Sequence, residues 1–292
     1  MHWIELRVAR FLQTIGDKSY KIPEGLLNKF GEETRAALKS QFEREARGFS
    51  LYPSNVGKPL CVLQMDKEHG SGQGLITRNL LGELVEDVVL FLLHASGVRV
   101  LSEQEPIKYK IGGIELSGRI DVVVENPKGE IEIYDIKSAS EYSFKTKKEQ
   151  SFKDILTTDT YGYVHQLFVY SEAYEARGSL KGKQVVPGGF IFCNKSDGSM
   201  FVLGCPSHHE EIKEKALKEV AYNIKHLNDP FKRQYEDVEE TFKKKKTGNR
   251  VLKMPCTMCS HVHRCWPGVQ MKQQMKSTSK NPKVMFYTHI EE

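Results

Sequence analysis

The sequence predicts an α/β fold organised as one elaborated domain, and three features of the residue pattern support this. Residues 78–94 (RNLLGELVEDVVLFLLH) have the apolar spacing of a buried helix, residues 98–137 alternate as strands do, and residues 160–177 return to helical spacing. The chain of 292 residues is 39% hydrophobic and 28% charged, so it is long and apolar enough to bury a core.

The region before residue 78 is predicted to be helical. An amphipathic stripe near the N-terminus consists of Trp3, Leu6, Val8, Phe11 and Leu12. Residues 32–46 have the pattern of a charged helix, and the looser stretch LYPSNVGKPLC follows it. This N-terminal helical region covers residues 1–77 and includes Cys61.

Strands and helices alternate in the remainder of the chain. GGFIFCNK and SMFVLGC form a strand pair around the turn Ser196-Asp197-Gly198, and a helix at 208–228 follows. A Lys-rich loop then leads to cysteines at 256–265. No clear linker separates these elements. We therefore predict a single domain in which a core at 78–205 is followed by a helix and cysteine cluster at 206–268 and a basic tail at 269–292.

Composition restricts the classes of partner. The net charge of +5 is mild, and the lysine run at 243–246 is most simply a solvated face when taken alone. No apolar run approaches the roughly 20 residues that a membrane span needs. The N-terminal segment MHWIELRVARFLQ lacks the pattern of a secretory signal. We expect a cytoplasmic protein with no membrane partner.

The segment NPKGE (126–130) predicts a hairpin that brings two aspartates together. Pro127 suits the second position of a type I turn and Gly129 suits the left-handed residue that follows, which indicates a three-residue loop. If Asn126 faces Glu130, paired residue numbers sum to 256. Asp121 then lies directly opposite Asp135.

Two opposed carboxylates create an electrostatic conflict. Their Cβ atoms would be about 5 Å apart, so one carboxyl would be forced neutral unless a cation bound both. Ile131 and Ile133 share a strand face with Asp135, so the acidic pair extends an apolar surface where unpaired charge is costly. The pattern therefore predicts a divalent cation at Asp121 and Asp135.

Lys137 lies two residues after Asp135 and on the same face of the strand. A lysine beside a metal-bound carboxylate can orient an attacking water and offset charge that develops on a phosphate. The pattern Asp-x13-Asp-x-Lys is weak as a motif, and the hairpin strengthens it. We predict an active site centred on Asp121, Asp135 and Lys137.

The six cysteines favour a metal site over a disulfide framework in a cytoplasmic protein of this size. Cys256-x2-Cys259-x5-Cys265 can hold one metal centre. A fourth cysteine would complete an iron–sulfur site, whereas His261 or His263 would complete a zinc site, and the local spacing permits both. Cys193 and Cys205 lie in or beside β runs and are predicted to be core residues.

These motifs together resemble a known nuclease family. GRID (118–121) and YDIKS (134–138) resemble motifs II and III of PD-(D/E)XK nucleases, in the RecB-like branch. Gly82-x-x-x-Glu86 resembles the motif I helix, with glutamate as in the phage lambda exonuclease branch. Gln166-x-x-x-Tyr170 resembles the Q-x-x-x-Y motif. The resemblance implies a central mixed sheet flanked by helices, with an accessory helical lobe.

The segment that ends at Cys61 resembles the early cysteine element of iron–sulfur RecB-like nucleases. These include the four-cysteine CRISPR-associated adaptation nucleases and the nuclease domain of AddAB. The resemblance implies a structural 4Fe–4S cluster that pins the C-terminal end to the N-terminal part. Its ligands would be Cys61, Cys256, Cys259 and Cys265, and zinc at the C-terminal cysteines is the alternative.

The resemblance also assigns roles to the predicted site. Mg²⁺ or Mn²⁺ would be held by Glu86, Asp121, Asp135 and the carbonyl of Ile136. Lys137 would position the nucleophile, and Gln166 and Tyr170 would guide the strand. Arg119 would contact a phosphate.

The activity implied is that of a metal-dependent DNA exonuclease on single strands or duplex ends, with the 5′-to-3′ direction of its relatives. Recombination, repair, phage DNA metabolism and CRISPR adaptation are the implied settings, in a prokaryote or a virus with a prokaryotic host, where protein partners are expected. The alternative is a nucleic-acid-binding assembly subunit of a recombination or spacer-capture complex with little free activity.

Overall fold

The computed structural model describes residues 1–16, 21–43, 48–70, 76–177, 184–275, 277, 279–280 and 282–291. The chain divides into two compact units. Unit 1 comprises residues 1–47, 51–57 and 74–225, and unit 2 comprises residues 48–50, 58–73 and 226–292.

Unit 1 contains a five-stranded sheet in the order β1-β2-β3-β4-β5. Its strands are β1 (Arg99–Ile111), β2 (Ile114–Glu125), β3 (Ile131–Ala139), β4 (Val185–Asn194) and β5 (Met200–Gly204). The first three form an antiparallel meander, β4 is parallel to β3, and β5 is antiparallel to β4. The predicted α/β fold with a mixed sheet is confirmed.

Helices cover both faces of this sheet. Their bounds are α1 (Trp3–Gly16), α2 (Glu24–Glu43), α3 (Pro53–Val56), α5 (Ile76–Ala95), α6 (Glu141–Glu149), α7 (Phe152–Thr158), α8 (Tyr163–Glu175) and α9 (Glu210–His226). One core contains Val89 and Leu93 of α5 and Ile4 of α1, packed on Tyr134 and Ile136. The other core contains residues of α6 to α9 packed on Ile131 and Ile133. Because successive side chains of β3 point to opposite faces of the sheet, this strand contributes residues to both cores.

The hairpin between β2 and β3 has the predicted geometry. Val122 pairs with Tyr134 and Glu125 with Ile131, so paired numbers sum to 256. Asn126 N–H donates to the Glu130 carbonyl at 2.9 Å, and Gly129 has φ +84°. A second constraint comes from the Asn126 side chain, whose Oδ1 accepts from Lys128 N–H at 2.9 Å and from Glu130 N–H at 3.0 Å.

Two helices between β3 and α8 were not predicted from the sequence. Ser140 caps α6 by accepting from Ser143 N–H, and Ser151 forms a capping box with Asp154 at the start of α7. Phe144 and Phe152 bury themselves in the core shared with α8. These caps and apolar anchors explain why such short segments are helical.

Unit 2 is richer in strands than the sequence predicted. It contains α4 (Leu60–His69), a 3-10 turn at Cys256–Met258 and α10 (Val262–Cys265). Its four-stranded sheet has the order β6-β7-β9-β8, from β6 (Val238–Phe242), β7 (Lys245–Leu252), β8 (Gln270–Gln273) and β9 (Val284–His289). The expectation of a helical accessory lobe was therefore wrong, and residues assigned to a Lys-rich loop and a basic tail pair as strands. Across the described ranges, no helix is long and apolar enough to cross a membrane.

Gly189 offers a test of the packing between β4 and β5. It has φ +133°, and a Cβ there would lie 2.1 Å from the carbonyl oxygen of Leu203. Because that neighbour is backbone, Gly189→Ala should lower the free energy of unfolding by about 3 kcal/mol, measured by urea denaturation. Gly129→Ala is the matched control, since its φ is +84° but nothing lies within 4 Å of the added Cβ. It should cost about 1 kcal/mol, and equal losses would contradict the packing argument.

Candidate active site

Asp121 and Asp135 meet at the point where the β2–β3 ladder ends. The last paired residues are Val122 and Tyr134, and the next residue on each strand is an aspartate. The carboxylate of Asp121 accepts the Ile136 N–H through Oδ2 at 2.7 Å. Asp121 thus satisfies a main-chain donor of β3, which fixes its carboxylate close enough to Asp135 for the two charges to interact. The carbonyl of Ile136 as a metal ligand stays a prediction.

Asp135 is the most enclosed acid of the site. Its side chain is fully buried, and neither carboxylate oxygen accepts a hydrogen bond of normal geometry. Lys137 forms an ion pair with it at 2.7 Å between Nζ and Oδ2. A buried carboxylate with unfilled acceptor sites is the environment in which a cation supplies the missing interaction.

A polar network extends from Lys137 to α8. Lys137 Nζ donates to Gln166 Oε1 at 3.1 Å, and Gln166 Nε2 donates to Tyr170 Oη at 2.9 Å. The Lys137 ammonium also lies 4.8 Å from the ring centroid of Tyr163. Gln166 and Tyr170 are only 5% and 3% exposed, so their polar groups face inward rather than toward solvent. The predicted pair on one face of α8 is thereby connected to Lys137.

Glu86 reaches the same site from α5. Burial and the neighbouring Asp135 raise the pKa of Glu86 to about 7. Gln104 of β1 donates from its side-chain amide to Glu86 Oε1. Arg119, which is exposed on β2, opposes the rise in the Glu86 pKa through its charge. Glu86, Gln104 and Arg119 also line an open cavity of about 700 Å³ between α2, α5 and β1.

The acidic groups repel one another. Burial, followed by the charges of Glu86 and Asp135, raises the pKa of Asp121 well above its ordinary value. Burial likewise raises the pKa of Asp135 in spite of Lys137. For Lys137 a raised pKa favours the charged form. Asp135 and Asp121 raise its pKa above the usual range even though burial opposes its charge. Lys137 therefore stays charged beside three carboxyl groups whose negative charge is costly to bury.

The donor set fits a hard divalent cation. Three carboxyl groups converge, and Mg²⁺ and Mn²⁺ prefer oxygen ligands. In the part of the chain that the structure describes, no group of three His, Cys, Asp or Glu side chains is already arranged to hold a metal ion. The fit accordingly rests on the unfilled acceptors of Asp135 and on the mutual repulsion of the acids.

A second candidate centre lies within unit 2. Cys61 of α4 lines one small cavity together with Cys256, Cys259 and Cys265. All four are free thiols, and burial raises the pKa of Cys61 to about 11, with the other three thiols adding to the effect. The predicted early and late cysteines are thus brought to one place. As in unit 1, the described residues include no group of three His, Cys, Asp or Glu side chains that is already arranged to hold a metal ion.

The histidines beside these cysteines differ in their surroundings. His261 is 4% exposed, lines the cavity, and contacts Asp66 Oδ1 through Nε2 at 2.7 Å. A histidine that ligates zinc commonly contacts a carboxylate through its other ring nitrogen. His263 is exposed and does not line this cavity. His261 is therefore the histidine that keeps the zinc alternative open.

One residue of the active site, Gln104, was missed by sequence reasoning. It adopts φ +47° in β1, and its side-chain amide donates to Glu86. No local signal in the sequence indicates this contact, because it joins β1 to α5. Tyr163, which the sequence offered as a residue that could approach DNA, is the first residue of α8 and lies against Lys137.

A comparison with family models identifies the superfamily of this chain. A family model described as the PD-(D/E)XK nuclease superfamily matches residues 58–266. No curated protein matches the chain significantly. Among solved structures, the crystal structure of SSO0001 matches with 12% identity and a TM-score of 0.40, covering 71% of this chain and 90% of that chain. At this level the structural similarity carries no information on function.

The pKa of Glu86 predicts a pH-dependent effect on stability. Between about pH 4.5 and pH 7, the folded metal-free protein keeps a proton on Glu86 that the unfolded chain releases, so stability falls as pH rises. Glu86→Gln removes this loss. The free energy of unfolding of the variant minus that of the parent should rise by about 1–2 kcal/mol from pH 5 to pH 8, measured by urea denaturation with EDTA.

Glu211→Gln, at an exposed position on α9, serves as the matched control. Its stability relative to the parent should change little between the two pH values. If Glu86→Gln shows no greater change than this control, the raised pKa of Glu86 is wrong.

Proposed function

Because this chain belongs to the PD-(D/E)XK nuclease superfamily, whose members hydrolyse phosphodiester bonds with a divalent metal, we propose that it is a DNA exonuclease acting on single strands or duplex ends. The observation that carries the proposal is the buried Asp121–Asp135 pair with Lys137 beside it. The 5′-to-3′ direction, the pathway and the cytoplasmic setting stay predictions.

The metal site of this proposal is formed by oxygen donors. Glu86, Asp121 and Asp135, with the carbonyl of Ile136, would hold Mg²⁺ or Mn²⁺. When bound, such an ion supplies activation of water and stabilisation of the leaving oxygen. The carboxyl groups contribute the negative charge that holds the ion, and they release their remaining protons as it binds.

Lys137 acts as a fixed cation. Its raised pKa keeps it protonated, so it donates hydrogen bonds and does not accept a proton. The ion pair with Asp135 and the bond to Gln166 fix its position. From there it can hold a water molecule in place and offset charge that develops on the phosphate in the transition state.

Gln166 and Tyr170 hold Lys137 in position through hydrogen bonds from α8. Their burial favours a positioning role over direct contact with the strand, and Tyr170 holds the Gln166 amide so that its oxygen faces the ammonium. Arg119 is exposed at the cavity beside Glu86, where it can contact a phosphate. The open cavity provides the room that a nucleic-acid strand needs.

An assembly subunit with little free activity is the second candidate function. It would keep the nucleic-acid-binding fold without needing an intact acidic site. The convergence of Asp121, Asp135 and Lys137 disfavours it, because buried like charges would be costly to retain without a use.

For unit 2, we propose that Cys61, Cys256, Cys259 and Cys265 hold a 4Fe–4S cluster with a structural role. The support is that all four free thiols line one cavity within this unit. A cluster there would crosslink α4 to the C-terminal residues and restrain the unfolded chain. Zinc bound by the three late cysteines and His261 is the alternative that the Asp66 contact supports.

The nuclease proposal predicts cleavage of oligonucleotides in the presence of Mn²⁺. Asp121→Ala should reduce the rate about a thousandfold, because it removes a metal ligand and the partner of Asp135. Labelled oligonucleotides blocked at the 5′ or the 3′ end, as single strands and as duplexes, would show which end is used. Asp197→Ala, in the exposed turn before β5, is the control and should retain activity.

Equal cleavage by the parent and Asp121→Ala would contradict the assigned site. If the parent binds these oligonucleotides but shows no metal-dependent cleavage, the assembly-subunit function is favoured instead.

The cysteine proposal predicts the metal content of the protein. After anaerobic purification the parent should be brown and contain iron and acid-labile sulfide in equal amounts. Cys259→Ala should lose both, whereas Cys193→Ala, in the core of unit 1, should keep them. A colourless parent containing one zinc would establish the zinc alternative, and neither result bears on the nuclease site.

A further inference from the structure

The hairpin between β6 and β7 has an unusual turn. Phe242 pairs with Lys245, so Lys243 and Lys244 form a two-residue loop. Both have positive φ values, +49° and +66°. A two-residue hairpin with positive φ at both central positions is a type I′ turn, for which Asn-Gly is the preferred sequence. Lysine at these positions is therefore unfavourable for the backbone.

The side chains at this turn are available for binding. Lys243, Lys244 and Lys245 are all exposed. Among the described residues, Lys246 is the member of the run that forms an ion pair, with Glu239 at 2.6 Å. The Nζ of Lys243 lies 5.6 Å from the ring centroid of Phe242, at the edge of the turn. The turn thus presents adjacent ammonium groups to solvent.

The charge of the surrounding unit indicates the chemistry of the partner. Unit 2 contains 15 Lys and Arg residues and nine Asp and Glu residues, which leaves +6. Unit 1 contains 28 and 29 respectively, which leaves −1. The positive charge of the chain therefore belongs to the unit that does not contain the acidic site. A polyanion with regularly spaced charges is the partner that such a surface fits.

We propose that the turn at Lys243 and Lys244 is a second nucleic-acid contact that binds the phosphate backbone without reading sequence. The backbone tolerates an unfavourable turn because the two ammonium groups bind phosphates. The inference rests on the proposed function for the identity of the polyanion, and it is independent of the hydrolytic site. It adds the β6–β7 turn of unit 2 to the DNA-binding residues of the protein.

The test uses the full chain in EDTA, so that binding is measured without cleavage. A labelled single-stranded oligonucleotide is titrated by fluorescence anisotropy at several NaCl concentrations. The variant Lys243→Asn with Lys244→Gly supplies the preferred turn sequence and removes both charges. It should fold at least as stably as the parent in thermal denaturation and bind about tenfold more weakly at low salt. The slope of log affinity against log salt should fall by about 1.4.

Two controls separate contact from net charge. Replacing both lysines by arginine keeps the charges and should keep affinity and slope. Lys215→Gln with Lys218→Gln removes two charges from the exposed face of α9 in unit 1 and should change binding little. Equal losses in the α9 and turn variants would reduce the effect to net charge and overturn the proposal.

The proposal is also overturned if the Asn-Gly variant binds as tightly as the parent with an unchanged slope, or if the parent does not bind the oligonucleotide. Failure of the nuclease proposal has a different signature. In that case the oligonucleotide still binds, with the turn-dependent slope, but is not cleaved when Mn²⁺ is added.

Discussion

The repulsion between the carboxyl groups of Asp121 and Asp135 is the constraint around which unit 1 is organised. At an effective dielectric constant of 20, two charges about 5 Å apart repel by about 3 kcal/mol, a substantial fraction of the stability of a typical domain. The hairpin imposes this proximity, because its register leaves the two residues no other relative position. Lys137 compensates only part of the cost of charging Asp135, since burial keeps the pKa of that carboxyl raised beside it. A divalent cation would relieve the remainder.

The rest of unit 1 makes this arrangement rigid. Strand β3 supplies Ile131 and Ile133 to one core and Tyr134 and Ile136 to the other, so it is held from both faces. Asp135 and Lys137 extend from this strand and Asp121 from the neighbouring β2, so their positions are determined by the packed sheet rather than by a loop. Helix α5 adds Glu86 and helix α8 adds Gln166, and each helix is itself anchored in one of the two cores. Precise placement of a charged site requires this kind of support.

The parts of the fold that could be predicted are those with a local cause. The β2–β3 register follows from the five residues of NPKGE, and it alone brings Asp121 to Asp135. The capping box of Ser151 and Asp154 is an equally local signal for α7 that could have been used. By contrast, the contact of Gln104 with Glu86 joins β1 to α5, and no residue near either one indicates it. The hairpin of β6 and β7 was missed because lysine replaces the residues that normally mark such a turn.

The two candidate centres differ in the chemistry of their donors, and this difference has a consequence for metal selection. Carboxyl oxygens in unit 1 suit hard ions such as Mg²⁺ and Mn²⁺, whereas the thiols in unit 2 suit iron–sulfur clusters or zinc. Zinc and iron bind most nitrogen and oxygen sites more tightly than Mg²⁺ or Mn²⁺ does, so affinity alone would not keep them out of the acidic site. The thiols of unit 2 would instead draw zinc and iron by offering softer donors, whereas Glu86, Asp121 and Asp135 offer the oxygen that Mg²⁺ and Mn²⁺ prefer. A glutamate at position 86 would make this separation sharper, because a carboxylate favours hard ions whereas an imidazole would favour zinc.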